Sequence, residues 1–161
     1  MGNVASASLI ATAFALIMLI ITAYFLVGVV LTTAEIVSIA QTDQINQQEE
    51  RVRTAIEIVN SSVSSAESIV YAEIENTGSV VISEIKYMDV YTISSTSNIP
   101  IYYTLGSVAG TWSEVSIEPD IINPGLWDPK EVMNISVKYS GDDPIWIQVT
   151  TPNGISDSAY I

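Results

Sequence analysis

Residues 1–35 read MGNVASASLIATAFALIMLIITAYFLVGVVLTTAE. Side-chain charge first enters at Glu35, and Leu9 to Leu31 form 23 consecutive uncharged positions. At about 1.5 Å per helical residue such a segment reaches ~35 Å, enough for a ~30 Å hydrocarbon core with some tilt. About fourteen of these residues are Leu, Ile, Val or Phe. At roughly −0.3 to −0.6 kcal/mol each they favour insertion by ~4–8 kcal/mol, less a little for Thr12, Thr22 and Gly28. A helix apolar on every side has nowhere to put its surface in water. The stretch is therefore expected to be a transmembrane helix over residues 1–34, held in the membrane by 9–31. A secretory signal fits poorly, because it would carry a positive n-region and only about 7–15 apolar residues. The opening Met1-Gly2-Asn3-Val4-Ala5-Ser6 also fits a myristoylation pattern. That pattern is short and common, and it reads as coincidence.

Working outward, residues 31–50, LTTAEIVSIAQTDQINQQEE, keep a helical period: Ile36, Ile39 and Ala40 fall at i, i+3, i+4, and Ile45 continues loosely. Gln and Glu are good helix formers. One continuous helix is expected from about Ser6 to about Gln48, with residues 35–50 as a stalk. The weak apolar stripe of that stalk would pack on a neighbouring copy or on the head.

From Arg51 the period changes to two. Val52, Thr54, Ile56 and Ile58 alternate with Arg51, Arg53 and Glu57. ESIVYAEIENTGS follows as a strand into an Asn76-Thr77-Gly78-Ser79 turn. EIKYMDVYTI alternates from Ile85 to Ile93, NIPIYYTL is a shorter candidate, and TWSEVSI another. INPGLWDP reads as a loop turning at Pro124-Gly125. EVMNISVKY and IWIQVTT are strands parted by SGDDP, and PNG turns the chain into ISDSAYI as a hairpin. Seven to eight short strands and no helix over 51–161 predict an all-β immunoglobulin-like sandwich. The expected core is Val70, Ala72, Ile74, Ile85, Tyr87, Ile101, Tyr103, Trp112, Ile135, Val137, Ile145, Ile147 and Val149.

Composition narrows the chemistry. Five basic against 18 acidic residues give −13, all of it beyond residue 34. Such a head repels nucleic acid and anionic lipid. Cysteine is absent, so no disulfide or thiol chemistry exists. Histidine is absent too, which removes the commonest general base and metal ligand. Glu73 and Glu75 share one strand face and read as solvated. Asp142 and Asp143 in a Gly-containing turn could hold a Ca²⁺ ion, but two carboxylates are too few to specify one. No enzyme, cofactor or resident metal is expected. Two sequons stand at Asn60-Ser61-Ser62 and Asn134-Ile135-Ser136. Trp112, Trp127 and Trp146 are either strand packing or a partner contact. The uncharged IWIQVTT strand looks like the least guarded sheet edge, which makes Trp146, Gln148 and Thr150 candidates for pairing with another chain.

Several stretches together carry a resemblance: the apolar N-terminal helix beginning MG, the Gln/Glu-rich stalk, TAIEIVN, ENTGS, the NPG turn and the final VTTPNGISDSAYI. They resemble the archaellum accessory proteins FlaF and FlaG, and the IEI strand, NTGS turn and PNGIS hairpin look closer to FlaF. The N-terminal helix resembles those of archaellins and type IV pilins. The resemblance implies an immunoglobulin-like head outside the cell membrane, bound to the S-layer or a sister accessory protein, as a static element around a rotating filament. Archaellin and pilin precursors carry a basic residue and then Gly ahead of the helix. Met1-Gly2-Asn3 supplies none, which favours a retained anchor over a filament subunit. A homo-oligomer or an anchored surface adhesin would share the same layout.

Overall fold

The computed structural model describes the backbone of residues 2–161 and side chains from residue 7 onward. The chain divides into two compact units that meet between Asn46 and Gln47. Helix α1 runs Gly2–Arg53. Within the first unit its side chains are exposed on all sides, Leu9 and Phe25 both about 70 %. Thr12, Thr22, Thr32 and Thr33 donate their hydroxyls back to carbonyls one turn earlier, at 2.8–3.0 Å. This segment therefore hides its polar atoms internally, as an apolar surround demands. Its 18-residue window of highest mean hydropathy, 2.8, lies in a helix long and apolar enough to cross a membrane.

The helix outlasts its expected end at Gln48. Arg51–Arg53, expected to open a strand, form its last turn instead, and Val52 is 86 % exposed. Two arginines at a helix C-terminus suit the macrodipole, and Arg53 pairs with Glu49 one turn back at 3.2 Å. Thr54 ends the helix by donating both its N–H and its hydroxyl to the Glu50 carbonyl.

Eight strands follow: β1 Ile56–Ser64, β2 Ile69–Asn76, β3 Asp89–Ser94, β4 Ile101–Leu105, β5 Thr111–Glu118, β6 Val132–Lys138, β7 Pro144–Thr150 and β8 Ser156–Tyr160. Their order is β1-β2-β6-β5-β4-β3-β7-β8. β4 makes the fold over: residues 101–103 pair with β3, and Thr104 and Leu105 run parallel to β5. The result is the expected immunoglobulin-like sandwich. Val70, Ile74, Val90, Trp112, Ile135, Val137, Ile147 and Val149 are fully enclosed between the layers.

Three expected core residues lie elsewhere. Tyr87 is 65 % exposed because residues 85–87 form a 3-10 turn, which breaks the two-residue alternation before β3 begins. Ile101 is the first residue of β4, and Ile145 lies beside the irregularity between Ile93 and Ser94, and both are about 40 % exposed.

The outer ends of the two sheets, β1 and β8, abut. At a bulge in β1 the Ile58 N–H donates to Asp157 Oδ2 at 2.8 Å, and Ser61 Oγ donates to the Tyr160 carbonyl at 3.3 Å. Side chains thus satisfy what a ladder would otherwise have to. The C-terminal hairpin is accordingly no free edge: β7 is paired on both sides, with β3 and with β8.

Asp142 and Asp143 hold loops together at the sandwich end far from the helix. Asp142 accepts the Thr96 hydroxyl, while Asp143 accepts Ser65 Oγ and the Tyr139 hydroxyl, each at 2.6 Å. Among the described residues no group of three or more His, Cys, Asp or Glu could hold a metal. The hydrogen bonds from Ser65 and Tyr139 hold the Asp143 carboxyl below its ordinary value, and the bond to Asp143 holds the Tyr139 hydroxyl above its own. A carboxyl depressed by folding stabilises above its unfolded value of about 3.9 and ceases to as pH falls through the folded one. A raised tyrosine contributes below about pH 10 and is lost above. Asp143→Asn is therefore expected to lower the melting temperature at pH 7 and to flatten the fall in stability below pH 4, as read by thermal unfolding across pH.

Candidate functional site

Two outward sheet faces of opposite character flank the core. On β1-β2-β6-β5, Glu57 stands opposite Glu75, and Glu73 lies between Asn60 and Asn134. Lys130 reaches Glu75 at 3.5 Å. This face is acidic and solvated, as expected for Glu73 and Glu75.

On β4-β3-β7-β8 alternation turns the other set of residues outward. Ile147 and Val149 are fully buried, so Trp146, Gln148 and Thr150 face away from the core, and all three are half-buried. Register then sets their neighbours, since directly opposed residues share a face. Gln148 lies between Tyr91 and Ser158, and Trp146 between Ile93 and Tyr160. Tyr91 is opposite Tyr102, their ring centroids 5.2 Å apart and tilted by 43°. Tyr160 is 83 % and Tyr102 49 % exposed. Among the described residues the only charge on this face is Asp89 at one end, and its carboxylate, hydrogen-bonded to the Tyr102 hydroxyl, holds that hydroxyl above its usual value. In a chain of −13, an aromatic face with so little charge has the composition that the centre of a protein interface favours.

Three of the expected contact residues thus meet on one surface. The other two do not. Trp112 and Trp127 are fully buried. Trp112 packs between the layers from β5, opposite Val137. Trp127 belongs to a loop that folds back to form a bridge with Ile82, and its indole N–H donates to the Glu131 carbonyl at 2.9 Å. They are core, and neither can touch a partner. Tyr91, Ile93, Tyr102 and Tyr160, which were not among the expected contact residues, share this face with Trp146 and Gln148.

A second construction surrounds the end of α1, inside the head unit. Asn76 is fully buried. Its amide donates to the carbonyls of Val80 and Trp127, at 2.9 and 3.0 Å, and its oxygen accepts the Gly78 N–H. So fixed, the NTGS loop caps the helix: Ser79 N–H donates to the Arg53 carbonyl and Gly78 N–H to that of Ala55, both at 2.9 Å. From the other side Asn153 of the PNG turn donates to Thr54 Oγ1 at 2.6 Å. Both turn motifs are therefore clamps on the helix end.

The sequence pattern of the archaeal-type flagellin family matches residues 5–161, helix and head together. The chain belongs to that family. Among solved structures, the archaellum periplasmic stator protein FlaG from Sulfolobus acidocaldarius is similar at 25 % identity and a TM-score of 0.52, over 67 % of this chain and 99 % of that one. The stator complex of FlaF and FlaG from the same organism is similar at 21 % identity and a TM-score of 0.53, over 66 % of this chain and 87 % of that one. No curated protein matches. The chain is thus similar to archaellum stator proteins, and these relatives are structural components rather than enzymes. These similarities do not separate FlaF from FlaG, so the expected leaning toward FlaF is not decided by them.

Proposed function

We infer that this protein is a membrane-anchored static element of the archaellum motor, whose head docks through its aromatic sheet face onto a sister accessory protein. The observation that carries this is the cluster of Tyr91, Tyr102, Trp146 and Tyr160 around Gln148 on an otherwise acidic head. Aromatic anchors with few charges are what the centre of a protein interface uses. The stator complex among its structural neighbours joins two such proteins, which supports the choice of partner. The helix supports an anchor through 9–31, with the head outside the cytoplasm, where the S-layer is a further docking partner.

Placing a charge at the centre of the face tests the reading. Gln148→Lys is expected to weaken capture of the sister protein about tenfold or more, equivalent to about 1.4 kcal/mol, with the melting temperature held within a few degrees. Pull-down of the full chain in detergent, beside isolated S-layer sheets as a second bait, reads this out. Unchanged capture of both baits by a folded variant would move the interface off this face.

A second reading, a filament subunit, is favoured by the flagellin-type pattern running through the helix. Sequencing the N-terminus of the protein from its membranes separates the two. A start at Met1 or Gly2 is expected of an anchor, and a start between Ala5 and Ala13 of a filament subunit.

A further inference from the structure

Three pieces of the head unit enclose a cavity of about 570 Å³ at the end of α1. The last turns of the helix form one wall with Gln47 and Arg51, the loop at 81–84 forms another, and the PNG turn forms the third. Each wall is pinned in place. Asn153 of the turn holds Thr54 at 2.6 Å, and the N–H and carbonyl of Ile82 both pair with Trp127, at 3.0 and 3.2 Å. The cleft is therefore preformed, and a ligand need not order it.

The Ile82 bridge sets the direction of its neighbours. In extended backbone, successive residues send their polar groups to opposite sides. Val81 and Ser83 therefore aim theirs away from Trp127, and both residues line the cavity. Among the described residues neither the N–H nor the carbonyl of these two has a hydrogen-bond partner. The loop thus offers a short unpaired strand edge. Charge is an independent observation. Of the five basic side chains, Arg53, Lys86 and Lys130 are ion-paired, and Lys138 donates to the Ser107 carbonyl. The Arg51 side chain alone has no partner among the described residues. Glu50 borders the same cavity, yet no ion pair joins it to Arg51. The Arg51 guanidinium reaches instead toward the PNG turn, its Nη2 3.9 Å from where a Gly154 Cβ would stand.

We propose that this cleft takes an extended acidic segment of a partner polypeptide, which adds as a strand along Val81–Ser83 and sets one carboxylate side chain on Arg51. The helix wall from Gln47 to Thr54 is about 10 Å long, the span of three extended residues. Main-chain bonds to the open edge supply affinity, and the forked guanidinium–carboxylate pair selects an acidic residue at one position. Glutamine there would leave Arg51 without its ion pair, and lysine would be repelled.

The test uses the full chain in detergent and a labelled peptide of alternating Thr and Val around one central Glu. Both peptide ends are blocked, so the side chain is its sole carboxylate. Fluorescence polarisation is expected to show saturable binding, about tenfold or more tighter than for the same peptide with central Gln. Arg51→Gln is expected to abolish that preference, with the melting temperature within a few degrees of wild type. Ser83→Pro removes one edge donor while leaving the Ile82–Trp127 bonds, and is expected to weaken both peptides alike. Hydrogen exchange on the wild-type chain supplies a readout that needs no variant: the Val81 and Ser83 amides should slow when the Glu peptide is bound. Absence of saturable binding, a Glu preference that survives Arg51→Gln, or protection that falls elsewhere in the head overturns the proposal. No sister protein is present in the assay, so its outcome is separate from that of the aromatic face.

Discussion

Gly78→Ala is expected to destabilise the head by about 2–3 kcal/mol, far more than one methyl group usually costs. A Cβ at this position would stand 2.6 Å from the Ala55 nitrogen and 2.6 Å from the Arg53 oxygen. Both are backbone atoms, and neither can swing aside as a side-chain tip would. The loop must back away from the helix end, and the two capping bonds from Gly78 and Ser79 lengthen together. Overpacking of this kind costs roughly 1–3 kcal/mol, and weakening of the cap adds to it. For a head of this size the melting temperature should fall by about 10–20 °C. Near-ultraviolet circular dichroism of the full chain in detergent, with limited proteolysis around residues 53–56, measures both melting and opening. A melting temperature within a few degrees of wild type, with the 53–56 segment still protected, would show that the clamp does not hold the helix end. The comparison variant is Ser79→Ala, which keeps its backbone donor and loses only a 3.3 Å contact to Arg53 Nε; it should cost little.

The clamp also shows why some features were legible in the sequence and others were not. The apolar helix and the strands β2, β6 and β7 announce themselves by local period, and each was found where its period said. NTGS and PNG were legible as turns, but that they grip Arg53, Ala55 and Thr54 depends on contacts across 23 to 99 residues. The register of eight strands is likewise invisible in a local pattern. Tyr91, Trp146 and Tyr160 each sit at a recognisable outward position of their own strand, yet they become a surface only through the pairing of β3, β7 and β8. The supposed free edge failed for the same reason, because β8 came to lie against β1. Trp127 was misplaced for a different reason. Pro124-Gly125 marks a loop correctly, and loops are usually surface, but this one is tied down by Asn123 to Asp128 and by Asp120 to Gly125, and drives its tryptophan inward.

The three tryptophans should consequently separate into two behaviours under the same substitution. Trp127→Ala and Trp112→Ala each empty a fully buried ring site, and are expected to cost about 3–5 kcal/mol. That is a large share of the total stability of a small domain, and both variants should be partly unfolded near 40 °C. They differ in detail. Removing Trp127 also takes a donor from the Glu131 carbonyl, which keeps Asn76 N–H at 3.0 Å as its other partner. The Trp112 indole N–H has no acceptor among the described residues, so that ring works by volume alone and Trp112→Phe should restore most of the loss. Trp146→Ala, on the outward face, should leave the melting temperature within a few degrees while weakening capture of the sister protein by tenfold or more, as expected of an aromatic anchor at the centre of an interface. Melting and capture measured in parallel on the three alanine variants decide the matter. If Trp146→Ala melts early like the other two, that ring belongs to the core and the docking face must be redrawn around Tyr102 and Tyr160. If it melts normally and still binds at full strength, the aromatic surface serves something other than that partner.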